Sequence, residues 1–269
     1  MKRVTFLTNL VIIIILLTGL SGVIFADVRA VSKAPRVFGL VIGINHFKDD
    51  YLNLQYASSD AENFYEALFG QQDTNAFLQL DGNATREKIL ASLSYILHEA
   101  QKDDFIILYV STHGLIKHND FYFCPHDVQV DNVLGTGIPA SIFIGALSQS
   151  VTDGVNVLII FDTCHSGSIG FDISKCYNEK NGNGMGMVFS CSPLEVSFES
   201  ANFGGGYGAL TYGLVQALSG KADQNLDYAI SVREMFNYTY ELVKKITDGK
   251  QNPVFISALP NQLVIKEIQ

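Results

Sequence analysis

Charge is scarce in this sequence: 17% of its 269 residues are Asp, Glu, Lys or Arg, against 48% that are hydrophobic. Such a balance excludes an intrinsically disordered chain, which lacks the apolar surface needed to offset the entropy of ordering. Positive charge is the scarcer sign. With 18 basic and 27 acidic residues and a formal charge of -9, the chain lacks the clustered Lys and Arg that a phosphate backbone demands, so no nucleic-acid partner is expected. An acidic surface favours cationic ligands instead, though net charge speaks mainly to solubility. Cysteine is also sparse. Cys124, Cys164, Cys176 and Cys191 are too few for a disulfide scaffold in a chain of this length. Cys124 and Cys191 read as small buried hydrophobes; if one thiol is a nucleophile, two of the other three can pair in an oxidising compartment, and sequence does not say which. There are no internal repeats and no low-complexity tracts. The glycine-rich "GGGYG" is not followed by Lys-Ser or Lys-Thr, which excludes a phosphate loop. No two of His46, His98, His118 and His126 stand at ligand spacing with cysteines or acids, so no metal site of the zinc type is expected.

What is present divides into two parts. Residues 1–30 read as a signal peptide or an N-terminal membrane anchor: Lys2 and Arg3 precede an unbroken apolar run, Leu10 to Leu17, which continues through small residues to Ala26. Cleavage after Ala26 or Ala30 would leave Ile24 or Val28 three positions back, where a small residue is preferred. Uncleaved, the 17 residues from Leu10 to Ala26 reach the lower limit of a membrane-spanning helix. Either route makes the protein extracytoplasmic, secreted or anchored, with membrane contact only if the segment stays uncleaved. Residues 31–269 read as one globular domain.

Within that domain apolar strands alternate with amphipathic helices. Val37 to Ile44 ("VFGLVIGI"), Asn75 to Leu80, Phe105 to Val110 and Val155 to Phe161 are short and lack period-two polarity, as strands covered on both faces do. Between them, helices are predicted over Ala57 to Phe69, with Asp60 and Glu62 in the first turn, from the N-cap Thr85 to about Gln101 with Lys88 at the capping-box position, and over Ala140 to Ser150 behind Pro139. Phe121 to Cys124 is a short extra strand. Gly167 to about Gly186 lacks periodicity and reads as a surface loop. After it come a strand at "MVFSCS", a helix from Tyr207 to Leu218 ended by Gly220, a helix from Ser231 to Ile246, and a strand from Val254 to Ser257. This order predicts an α/β fold with a mainly parallel central sheet sandwiched between helices. Such sheets bind ligands beyond the carboxyl ends of their strands.

Two strands carry chemically loaded tails at those ends, "YVSTHG" and "LIIFDTCHSG". A thiol acts as a nucleophile only as thiolate, and a neighbouring imidazole can take its proton and later protonate the leaving amine. His113 and Cys164 can fill these roles if their strands are neighbours. The backbone N–H groups of Gly114 and Cys164 are available to hold an oxyanion. His165 is read as local structure.

The two tails, with 51 positions between His113 and Cys164, resemble those of the caspase-like cysteine peptidases, and "DTCHSG" looks most like the metacaspase branch. Asp162 stands where the caspase signature has Gln. "VIGINHF", "LQYASSDAENF" and "GGGYGALTYGL" also look like the family's opening strand, first helix and late helix, so the resemblance runs from about Val37 to the C-terminus. It implies the caspase-like three-layer fold and a protease with a Cys–His dyad: His113 as general base, Cys164 as nucleophile, and Asp162 at the floor of the S1 pocket with Asp60 and Ser111. Two carboxylates beside a cleft favour protein or peptide substrates with Arg or Lys at P1. No cofactor is required for this chemistry. Members of the metacaspase branch are often calcium-activated and self-cleaving; the candidate calcium ligands are Asp120, Asp127, Asp131 and Asp172, although scattered loop aspartates are more often solvated surface. Lys175 and Lys180, in the predicted surface loop, are the candidate self-cleavage points. The alternatives are a catalytically silent scaffold or binding module on the same fold, and a thiol transferase using the same dyad.

Overall fold

The computed structural model describes residues 35–70, 74–118, 120–163, 182–192 and 194–268. The leader, Cys164, Asp172, Lys175, Cys176 and Lys180 lie outside the described residues. In chain order the elements are β1 (Val37–Gly43), α1 (Ala57–Phe69), β2 (Ala76–Leu80), α2 (Arg86–Glu99), β3 (Phe105–Ser111), β4 (Gly114–Lys117), β5 (Asp120–Phe123), the single-turn α3 (Val133–Thr136), β6 (Ile138–Pro139), α4 (Ala140–Thr152), β7 (Asn156–Asp162), β8 (Met185–Phe189), β9 (Glu199–Ser200), β10 (Tyr207–Gly208), α5 (Ala209–Gln216), β11 (Ala229–Ser231), α6 (Val232–Ile246), β12 (Val254–Ser257) and β13 (Val264–Glu267).

The central sheet has the order β12-β8-β7-β3-β1-β2. All its pairings are parallel except that of β12 with β8. Its inner strands β1, β3, β7 and β8 are almost wholly apolar because both faces are covered. Along β3, Ile106, Leu108 and Val110 face the layer that contains Ile89, Leu93 and Phe143 of α2 and α4. Ile107 and Tyr109 face the opposite layer, with Phe64 of α1, Leu210 and Leu214 of α5 and Met235 of α6. Burying each large apolar side chain in these layers contributes about 1.5–3 kcal/mol. The expected α/β sandwich is therefore the observed one. Among the described residues no helix is long and apolar enough to cross a membrane.

Local signals set several element ends. The Thr85 hydroxyl accepts from the Lys88 N–H at the start of α2, and Ser231 with Glu234 forms a full capping box on α6. The helix expected from Tyr207 starts later, at Ala209, because Tyr207 and Gly208 pair with Ser200 and Glu199. Past Gln216 the same helix widens over Ala217–Lys221, and Gly220 breaks it at φ 102°. Pro139 is the N-cap of α4.

The strand order reverses about β1, with β2 on one side and β3 on the other, and such a switch point opens a crevice at the carboxyl edge. α1 lies close over that edge because Gly43, the last residue of β1, has no side chain. A Cβ there would sit 2.4 Å from both the Ala57 carbonyl oxygen and the Ala61 Cβ. Gly43→Ala therefore displaces α1 from the sheet. The expected loss is about 1–3 kcal/mol of folding stability, as for other overpacked cores, read as a lower urea midpoint; an unchanged midpoint would show that α1 can shift at no cost.

Candidate active site

The site grows from strand register. Gly43 pairs with Ser111 across β1 and β3, and Ser111 pairs with Asp162 across β3 and β7. Three strand ends thus stand in one row, and His113 and Thr163, just beyond two of them, line one cavity. His113 follows Ser111 by two positions, as Cys164 follows Asp162. Cys164 itself lies outside the described residues, but its neighbour Thr163 is fixed: the Thr163 carbonyl accepts a hydrogen bond from the Ser190 hydroxyl at 2.9 Å.

A cavity of about 200 Å³ opens at this edge and is lined by Asp60, Ser111, His113, Asp162, Glu199 and Gly208, among others. Four side chains singled out from sequence, Asp60, Ser111, His113 and Asp162, therefore meet in one place. Asp60, in the first turn of α1, is 2% exposed. Its Oδ2 accepts the Gly208 N–H at 2.9 Å, while its Oδ1 is buried without a hydrogen-bond partner among the described residues. Asp162 is also buried; its Oδ2 accepts from the Thr211 hydroxyl at 2.7 Å and its Oδ1 from the Ser197 hydroxyl at 3.3 Å. Gly208 keeps the two acids close. A Cβ on it would lie 2.9 Å from Asp60 Oδ2 and 3.2 Å from Asp162 Oδ2, so any larger residue would enter the space between them.

No lysine or arginine lines the cavity among the described residues. Burial, and then the charge of Asp162, push Asp60 up to about 9. Burial raises Asp162 as well, against the lowering effect of its bonds to Thr211 and Ser197. Glu199, exposed at the rim, is raised by partial burial and by Asp162.

His113 is half-buried, with its ring 5.4 Å from that of Phe47. Its Nε2 lies 2.8 Å from the Leu52 carbonyl oxygen. A carbonyl only accepts, so Nε2 carries the hydrogen and Nδ1 is left to take a proton. The loop that supplies Leu52 is tied down at several points. Leu54 N–H donates to the Asn45 carbonyl at 2.8 Å, and Asn45 and His46 N–H groups both donate to Asp81 Oδ1 at 2.8 Å. Gly114 begins β4. Because Cys124 N–H donates to the His113 carbonyl at 3.0 Å, Gly114 and Phe123 form a non-hydrogen-bonded pair, and the Gly114 N–H points away from β5.

Sequence reasoning missed Leu52, Ser197, Glu199, Gly208 and Thr211. Gly208 and Thr211 lay within a stretch already singled out, "GGGYGALTYGL", but without a role of their own. Of the candidate calcium ligands, Asp127 Oδ1 accepts the Arg86 N–H at 2.9 Å, and Asp120 and Asp131 are exposed. Among the described residues no three His, Cys, Asp or Glu side chains are grouped as metal ligands, so Asp120, Asp127 and Asp131 are not brought together.

The buried acids make a prediction about pH. A free aspartate titrates near 4, and Asp60 in the folded chain near 9. The folded state therefore holds an extra proton between these values, and the stability this gives at low pH is lost as pH rises through the window. Asp60→Asn cannot ionise. Its melting temperature should gain on that of the parent steadily from about pH 4 to about pH 9, with no further gain below pH 4; parallel curves would mean that Asp60 titrates as a free carboxyl.

Comparison with known proteins gives the family and the fold. A family model described as the caspase domain matches residues 36–264. Metacaspase-1 of Debaryomyces hansenii is 24% identical over 221 residues, covering 72% of this chain and 48% of that protein, so the chain spans about half the length of this relative. Among solved structures, caspase-1 of Spodoptera frugiperda superposes with a TM-score of 0.63 at 16% identity, over 87% of this chain and 91% of its own. A Geobacter sulfurreducens protein does so with a TM-score of 0.62 at 16% identity, over 87% and 100%. The chain belongs to the caspase-domain family of cysteine peptidases.

Proposed function

We propose that the chain is a cysteine endopeptidase that cleaves after Arg or Lys, with Cys164 as nucleophile and His113 as general base. The observation that carries the specificity is the buried Oδ1 of Asp60, unpartnered among the described residues, in a cavity that they line with a second buried carboxylate and no cation. A buried acceptor left unpaired costs about 1–3 kcal/mol. A guanidinium or ammonium group entering the cavity supplies both the missing donors and the missing charge. The anionic side chain that caspases proper accept would meet three acids here.

The proposed sequence of steps is short. His113 Nδ1 takes the thiol proton of Cys164, and the thiolate attacks the carbonyl carbon of the P1 residue. The oxyanion is held by the N–H groups of Gly114 and Cys164. The imidazolium, its charge supported by the bond from Nε2–H to the Leu52 carbonyl, protonates the leaving amine. Water, deprotonated by the same imidazole, then hydrolyses the thioester.

The test uses fluorogenic peptides that differ only at P1, with and without calcium. Arg and Lys peptides should be turned over and the Asp peptide should not; Cys164→Ala should be inert. Asp162→Asn should lower kcat/KM for the Arg peptide roughly tenfold or more, the scale of a lost charged hydrogen bond. Faster turnover of the Asp peptide would refute the specificity, and no turnover of any peptide would favour a silent scaffold.

A further inference from the structure

Asp162 is held from behind by a buried run of hydroxyl groups that reaches across the helical layer. Thr211, on the first turn of α5, is fully buried and donates from Oγ1 to Asp162 Oδ2 at 2.7 Å. The Tyr109 hydroxyl, from the middle of β3, lies 2.5 Å from the same Thr211 Oγ1. A threonine hydroxyl has one hydrogen. When Asp162 is ionised it can only accept, so Thr211 spends that hydrogen on Asp162, and the phenol must be the donor to Thr211. The order of donation is therefore fixed, Tyr109 to Thr211 to Asp162.

Tyr109 is anchored more firmly than its partners. It is fully buried, and its ring stacks on Phe64 of α1 at a centroid distance of 4.6 Å. The Ser111 hydroxyl, two residues along β3 and on the cavity wall, interacts with the same phenol. Burial, then the charges of Asp162 and Asp60, hold the phenol well above its ordinary value, so it remains a donor throughout the range in which a peptidase is assayed. The Thr211 backbone N–H also bonds Asp162, whereas the bond from the Ser197 hydroxyl is longer at 3.3 Å and comes from an irregular segment between β8 and β9.

We propose that Tyr109 and Thr211 are positioning residues for P1 recognition: they aim and polarise the Asp162 carboxylate without touching substrate. This rests on the reading of the cavity as a basic P1 pocket. The consequence is selective. Losing the Thr211 hydroxyl leaves the dyad in place but removes the donor that aims and polarises Asp162 Oδ2, so discrimination between a cationic P1 side chain and a neutral one of the same shape should weaken more than turnover itself.

Peptides with Arg or citrulline at P1, otherwise identical, measure this in the full chain. The parent should prefer Arg by a large factor. Thr211→Val should reduce that preference roughly tenfold, the effect of one hydrogen bond to a charged group, mainly through KM. Thr211→Ser should restore it, because the hydroxyl is kept. Tyr109→Phe should reduce it by a smaller factor in the same direction. A purely structural role would lower turnover of both peptides together and would not be rescued by serine. If the parent prefers Arg and both Thr211→Val and Tyr109→Phe keep the full preference, this inference is overturned while the P1 reading stands. If the parent does not distinguish Arg from citrulline, the P1 reading fails first and takes the inference with it. Should Thr211→Val not fold, Tyr109→Phe decides alone, since it keeps the ring and its stacking.

Discussion

Parallel pairing in register from β1 through β3 to β7 is the constraint on which the site rests. It sets Gly43, Ser111 and Asp162 in one row, and every later feature is measured from that row. A slip of one residue in β3 would send Ser111 and Tyr109 to the opposite face of the sheet. Tyr109 would then lose α5, and the cavity would lose its wall. The apolar alternation of β3 prevents the slip, since Ile106, Leu108 and Val110 fill one layer while Ile107 and Tyr109 fill the other.

On this frame the fold places an arrangement that opposes its own stability. Asp60 and Asp162 are both buried, and both approach one point beside Gly208. Two carboxylates in a low-dielectric pocket repel, and burial penalises each ionised form. The structure offsets part of this with the Gly208 N–H, the Thr211 hydroxyl and the Ser197 hydroxyl. Among the described residues it leaves Asp60 Oδ1 without a partner. A local conflict of this kind, inside an otherwise consistent α/β core, is what functional sites show, because the missing partner is supplied by the ligand. Lys266 makes the contrast. It too is partly buried, but its ammonium donates to the carbonyls of Ala67 and Leu218 at 2.7 and 3.0 Å, tying down helix ends.

How much of this was legible depended on range along the chain. The strand tails and α1 could be read because their chemistry is local: an apolar run that stops at "STHG" or at "DTCHSG", and an acid in a first turn. Gly208, Ser197 and Thr211 could not. Gly208 reaches Asp60 across 148 positions, and Thr211 reaches Asp162 across 49, and no periodicity records such a pairing. Leu52 was silent for another reason. It acts through its backbone carbonyl, so its side chain carries no mark of the role. The two-residue ribbons β9 and β10 are shorter than any pattern that could announce them, and the antiparallel direction of β12 is invisible because strand composition does not encode direction.

The connection from β1 to α1 shows how the two halves of the site are coupled. Its interior presents the Leu52 carbonyl to His113 Nε2. Its far end opens α1 and delivers Asp60 to the cavity. A shift of this segment would misplace the imidazole and the acid together. Asp81, at the end of β2, clamps both ends: its Oδ1 accepts from the Asn45 and His46 N–H groups and from the Ser58 hydroxyl in the first turn of α1, each at 2.8 Å. Burial works to raise Asp81, but these donors outweigh it and hold its carboxyl below the ordinary range, so the clamp stays ionised where a peptidase works. One carboxylate with several donors thus fixes the orientation of His113 relative to the cavity; under the proposed function, the distance between the bond to be cut and the side chain that is recognised is then a property of the backbone.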